Sequence, residues 1–192
     1  MFSRLCACLA VCSLVLSGCG FLPREEGWRD AVAMQSAQLG YRNWIVVAEA
    51  SFPAHSRPGV RQINANEEIP TVVDEVLRAL EKTEHVTPRI YVAREARAVE
   101  NDYAPGIDEF REQLKPALHA HETTELEHQS LVTLIEDATK SFDVLVIRTT
   151  SALPYTSVFM ELQPGYWNAD SESALREKLE RQRMEKLARP IP

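Results

Sequence analysis

The chain has 192 residues, of which 45% are apolar and 26% charged, and its formal net charge is −7 at pH 7. Such a composition suits one globular domain with appendages, long enough to bury a core. The acidic balance argues against nucleic acid as a partner, because phosphate backbones are held by a basic footprint.

In chain order, the first feature is an address. Residues 1–18 hold one positive charge, Arg4, ahead of an apolar run too short for a standard spanning helix, and read as a secretory signal peptide. The run ends Leu16-Ser17-Gly18-Cys19, which resembles a bacterial lipobox. That resemblance implies cleavage leaving Cys19 first, its acylation, and a membrane partner reached through the lipid anchor. Several acyl chains hold a protein firmly at a bilayer, where one alone is marginal. The expected location of the lipoprotein is the bacterial cell envelope, with Gly20 favouring the outer of two membranes. The alternative is a plain signal peptide in which Cys19 is incidental. Removing residues 1–18, whose only charge is Arg4, moves the net charge from −7 to −8. Cys6, Cys8 and Cys12 also lie in the leader. The body can therefore form neither an internal disulfide nor a thiolate zinc site. The five histidines show no His-Glu-x-x-His spacing, and neither a metal nor another cofactor is expected.

Residues 19–27 form a tether. A helix is expected over 28–39, with Gly40 placed for the left-handed conformation that ends many helices. Residues 44–50 are apolar without interruption, as in a strand buried on both faces. They break at Ser51-Phe52-Pro53 into a polar loop with His55 and Ser56. A short strand follows at 60–63. The next helix opens at Thr71, which with Asp74 approximates a capping box, and Val72, Val73, Val76, Leu77 and Leu80 share one face. A strand is expected at 88–93. Ile107, Phe110, Leu114 and Leu118 mark a helix bent or ended by Pro116. After a short strand at 123–127, Leu131, Leu134, Ile135 and Ala138 mark another helix, then strands follow at 143–148 and 157–162. Strands alternating with helices predict a three-layer α/β/α fold with a largely parallel sheet. Residues 171–189 are charged and helical in composition, with i,i+4 pairs such as Glu172/Arg176. Their thin apolar stripe, Leu175, Leu179, Met184 and Leu187, suits a solvated or partner-seeking helix rather than core.

Two segments carry the reading past fold class. LGYRNWIVVAEASFPAHS, residues 39–56, and VLVIRTTSALPYTSVFMEL, residues 144–162, resemble the opening and closing motifs of the D-ribose pyranase/L-fucose mutarotase (RbsD/FucU) family. The resemblance spans residues 35–163, inside a domain expected at 28–166, with a helical tail at 167–192. It implies a monosaccharide partner, ribose- or fucose-like, and a cofactor-independent mutarotase or isomerase activity. It also implies a homo-oligomeric ring with sites where neighbouring protomers meet. Ring opening needs one group to take a proton from the anomeric hydroxyl and another to give one to the ring oxygen.

Transferred to this chain, the family's proton-transfer His falls on Tyr41, a poor base with an ordinary pKa of about 10. Its strand-end Asp falls on Glu49. The Gly-Glu after the later strand is replaced by Thr150-Ser151, and the Asn two after the Tyr by Ser157. Arg148 and Tyr155 match directly. The expected catalytic pair is therefore His55 and Glu49, with Tyr155, Arg148, Ser157, Tyr41 and Ser56 holding the sugar. Each has a plainer alternative. His55 is either a base or a loop His bonded to backbone, and Glu49 either serves the site or pairs with Arg148. Tyr155 lines a pocket or packs in the core. His85, His119, His121 and His128 belong to no motif. Against catalysis stands a non-catalytic sugar-binding protein, or a structural envelope lipoprotein, on the same fold.

Overall fold

The computed structural model describes residues 27–188. The leader, Cys19, most of the tether and residues 189–192 lie outside the described residues. The elements run α1 (Trp28–Ser36), β1 (Trp44–Ala48), β2 (Val60–Asn64), α2 (Ile69–Glu81), β3 (Val86–Ala93), α3 (Glu95–Ala98) and α4 (Ile107–Leu118). Then come β4 (Thr123–Leu126), α5 (His128–Ala138), β5 (Val144–Arg148), β6 (Val158–Pro164) and α6 (Ala169–Ala188). The six strands form one sheet in the order β2-β5-β1-β6-β3-β4. One face packs Ile45, Val47, Leu145, Ile147 and Met160 against α1, α2 and α4. The other packs Trp44, Val46, Val144, Val146 and Phe159 against α5 and Phe52. This is the three-layer α/β/α arrangement with a C-terminal helix.

β1 and β5 are apolar on both faces because both faces are covered. β1 and β2 each pair parallel with β5, and β3 pairs parallel with β4. β6 departs from this, running antiparallel to both β1 and β3. Its connection explains the direction: residues 149–157 contain no helix, whereas a parallel return needs a crossover of about a dozen residues or more. The consequence is functional. β6 begins at the edge where the other five strands end, so the loop before it joins theirs.

Three local expectations are corrected. Gly40 does not take a positive φ; Arg42 does, at 68°, and α1 has ended at Ser36 in right-handed turn geometry. α2 starts at Ile69 rather than Thr71, with Pro70 in its first turn and Glu68 before it. The capping box is not used, because the cap comes from another segment: Ile69 N–H donates to Ser151 Oγ at 3.0 Å. α4 ends at Leu118, two residues past Pro116, which has no N–H to give the Glu112 carbonyl. The tail helix has no apolar stripe. Leu175 and Met184 lie about two and a half turns apart and project to opposite sides, and both are exposed.

Candidate functional site

The site is built on the carboxyl edge of the sheet. β1 and β5 pair in register through Ala48 and Arg148, so Glu49 and Arg148 leave neighbouring strands together. Glu49 N–H donates to Ser157 Oγ at 3.1 Å, and Ser51 Oγ donates to Glu49 Oε1 at 2.9 Å. Its Oε2 is buried without a partner. Phe52 N–H donates to the Glu49 carbonyl at 3.1 Å, which folds the chain back and drives the Phe52 ring into the core beside Phe159, 6.3 Å between centroids. His55 lies against Phe52, 6.0 Å between ring centroids, with Nε2 buried and unpartnered. Arg148 Nη2 donates to the Phe52 carbonyl at 2.7 Å, while its Nε has no partner. Arg148 therefore pins the loop rather than pairing with Glu49.

Two strands further along, the approach to β6 contributes Tyr155. Its φ of 62° is a left-handed conformation uncommon for a bulky residue. Such strain clusters where the surroundings over-determine a functional position. Thr156 Oγ1 donates to the Leu153 carbonyl at 2.7 Å and braces the turn. The Tyr155 ring meets the His128 ring edge-on at 5.2 Å. His128 opens α5, where its N–H donates to both Glu95 carboxylate oxygens at 3.0 Å. A hydrogen bond from its own backbone N–H, reinforced by the His128 N–H, holds the Glu95 carboxyl below its ordinary range. His128 Nδ1 is buried without a partner.

Among the described residues, six buried side-chain polar atoms lack partners. Four belong to Glu49, His55, His128 and Arg148, all at this edge; the other two are on α1. Buried polar groups are almost always satisfied, so an edge that leaves four open has the chemistry of a binding site. The same atoms include acceptors, donors and two imidazoles that serve as either. No three or more His, Cys, Asp or Glu side chains gather as a metal site among the described residues.

The family model for the RbsD / FucU transport protein family matches residues 30–163. The chain belongs to this family. Solved structures similar to it include Bacillus subtilis RbsD complexed with D-ribose, at 22% identity and a TM-score of 0.49, covering 72% of this chain and 93% of that one. The fucose mutarotase of Streptococcus pneumoniae, in complex with L-fucose, is 18% identical with a TM-score of 0.45, covering 67% of this chain and 87% of that one. FucU from Bifidobacterium longum is 16% identical with a TM-score of 0.44, covering 68% and 91%. Comparison with curated proteins returns no match.

Within this RbsD/FucU chain, the sequence-predicted residues separate into two groups. Glu49, His55, Arg148, Tyr155 and Ser157 lie at the carboxyl edge, and Ser56 is exposed in the loop beside His55. Tyr41 lies before β1, at the amino edge. At about 3.3 Å per strand residue, the length of β1 keeps it from the others within one protomer. Thr150 and Ser151, where the family has Gly-Glu, donate their hydroxyls to the Glu68 carboxylate. Glu68 thus brings a carboxylate to this corner from the start of α2. His128 was missed by sequence reasoning because it fits no motif. The signal available was position: it follows the carboxyl end of a strand and opens a helix, where open α/β sheets place ligand groups.

Proposed function

We propose that this chain binds a monosaccharide, a pentose or 6-deoxyhexose, at the carboxyl edge of its sheet and interconverts its ring forms or anomers without a cofactor. The observation that carries the reading is the set of four unpartnered buried atoms on Glu49, His55, His128 and Arg148. A sugar's hydroxyls and ring oxygen offer donors and acceptors in the same mixture. Membership of the RbsD/FucU family supports the substrate class. In the reaction, a base takes the anomeric proton as the bond from C1 to the ring oxygen breaks. The bonding pair goes to the ring oxygen, which receives a proton from an acid, and the open-chain aldehyde recloses on either face or through another hydroxyl. His55 and Glu49 form the acid/base pair in this scheme, with Arg148, Ser157, Tyr155 and Ser56 as sugar ligands.

A second reading is sugar binding without catalysis, favoured by Tyr41: a phenol replaces the family's proton-transfer His and sits at the far edge. In the catalytic reading a neighbouring protomer of a homo-oligomer brings Tyr41 to the site. Saturation-transfer NMR with D-ribose and L-fucose separates the two. Accelerated anomer exchange, lost in His55→Ala, supports the enzyme. Binding without acceleration supports the binding protein, and no binding of either sugar sinks both. The same proposal takes Cys19 as the lipidated residue that keeps the protein in the cell envelope, so a labelled fatty acid fed to cells should tag the native chain and not Cys19→Ala.

A further inference from the structure

A cavity adjoins the candidate site. Beneath α4, over β3 and β4, lies a cavity of about 410 Å³ whose walls include Val92, Ala96, Phe110, Leu114 and Leu118. It ends at Tyr155 and Thr156, the residues that lead into Ser157 and whose Tyr155 ring touches His128. The cavity and the carboxyl-edge site therefore meet at Tyr155. Their chemistry is opposite. The carboxyl edge holds unpartnered polar atoms, whereas none of the unpartnered buried atoms belongs to a residue lining this cavity. The cations at its rim are already neutralised: Arg97 pairs with Glu125 at 3.3 Å, Arg111 with Asp108, and Lys115 with Glu112. Arg111 also donates to the Ala96 and Val99 carbonyls. The remaining polar lining, His119, His121, Thr123 and Glu125, is exposed or half-buried at the mouth, and the walls behind it are apolar. Its volume lies in the range of about 300–1,000 Å³ typical of small-molecule sites, larger than an uncharged methyl or two would require.

We infer that the sugar bound by this protein carries a neutral apolar substituent, and that the cavity under α4 receives that substituent beside Tyr155. The inference rests on the sugar-binding reading above and names the ligand class more narrowly: a sugar acylated away from C1, which can still ring-open, or, under the non-catalytic reading, an amphiphilic glycoside. Each methylene withdrawn from water into such a cavity adds to affinity, so chain length is the variable to test.

The test compares methyl and hexyl glycosides of D-ribose and L-fucose on the full-length chain by isothermal titration. Glycosides cannot ring-open, so the measurement reads binding alone. The hexyl compound should bind at least tenfold tighter than the methyl one, equivalent to about 1.4 kcal/mol. Leu118→Phe, which fills the cavity at the end away from the carboxyl edge, should abolish that ratio and leave methyl glycoside affinity unchanged. Should Leu118→Phe fail to fold, Ala96→Phe, at the end next to Glu95, reads the same ratio. Equal affinities for methyl and hexyl compounds overturn the inference while leaving sugar binding intact. A hexyl advantage that survives both variants overturns the assignment of the cavity. Failure of free ribose, free fucose and every glycoside to bind overturns the sugar reading itself, and the inference with it.

Discussion

The two edges of the sheet are built from the same strands and differ in how completely they are satisfied. At the amino edge most polar groups are paired, the exceptions among the described residues being Gln35 Oε1 and Ser36 Oγ at the end of α1. His85 Nε2 contacts the Leu39 carbonyl at 2.9 Å, Arg61 reaches Asp143 at 3.4 Å, and the Arg42 guanidinium lies 4.3 Å over the Phe142 ring. Gly165 N–H donates to the His85 carbonyl at 2.9 Å. At the carboxyl edge Glu49, His55, His128 and Arg148 each keep a buried atom open. An unsatisfied buried group costs about 1–3 kcal/mol, so the second edge is less stable than it need be. Residues held against stability in this way are those that activity requires. The amino edge closes the fold, and the carboxyl edge is the one that the proposed function assigns to a ligand.

The largest effect that would test this division is at the amino edge. A Cβ on Gly165 would stand 2.6 Å from the Glu84 carbonyl oxygen, a backbone atom that cannot swing away. Gly165→Val should destabilise the protein by about 3 kcal/mol and lower Tm by about 6–12 °C, with sugar affinity of the folded fraction unchanged. Thermal melts and titration below the transition check both halves. Impaired binding in the folded fraction would mean that the edges are not separable.

The converse change is Glu49→Gln. It keeps shape and a hydrogen-bonding partner for Ser51 but removes a part-buried carboxylate with one open oxygen. Tm should stay level or rise, because an uncompensated charge is removed, while sugar affinity or anomer exchange should fall about tenfold, or about 1.4 kcal/mol. A drop in Tm with unchanged binding would make Glu49 a structural residue.

A smaller effect sharpens the boundary at α5. The Glu95 carboxyl, held below its ordinary range by its own N–H and that of His128, stabilises the first turn of α5 fully above the unfolded value of about 4.3. That support is lost as pH falls through the lower folded-state value. The His128 amide should exchange faster with solvent as pH drops through that window, after correction for intrinsic exchange, and Glu95→Gln should remove the dependence. A pH-independent His128 amide in the native protein would disprove the cap.

Much of the fold was legible because its signals are local. The apolar runs of β1 and β5 and the Val72–Val76–Leu80 spacing of α2 each encode burial in the residue order itself. What escaped was set by contacts between distant segments. The start of α2 depends on Ser151, 82 residues away in sequence, and no local capping rule can see it. The reversed direction of β6 was legible in part, since strands expected at 143–148 and 157–162 leave a gap too short for a parallel crossover. The site was legible to the same extent. Glu49 and Arg148 sit at strand ends that sequence can locate, and the FPAHS loop places His55 beside them. His128 comes from the other half of the sheet and meets Tyr155 only in three dimensions. Tyr41 shows the opposite failure, since nearness in sequence to Glu49 hides a whole strand's length between them.

The smallest expected effect concerns α6, which belongs to neither edge. A helix stabilised by the core should bury a stripe, as α2 does with Val72, Val76 and Leu80. α6 buries none: Leu179, Met184 and Leu187 are 54%, 58% and 71% exposed. Its order comes from within. Ser171 N–H donates to Asn168 Oδ1 at 2.8 Å as an N-cap, and Trp167 Nε1 donates to Glu172 at 2.8 Å. Pairs Arg176–Glu172 and Arg181–Glu177 follow at i,i+4 spacing. Such pairs contribute about 0.3–0.5 kcal/mol each and weaken in salt. Truncation after residue 166 should therefore change the stability of the body by less than about 0.5 kcal/mol, and helicity lost on adding salt to the full chain should vanish in the truncated one. A fall in Tm of several degrees on truncation would mean that α6 packs on a surface, whether its own or a second copy's, and that the body ends later than Tyr166.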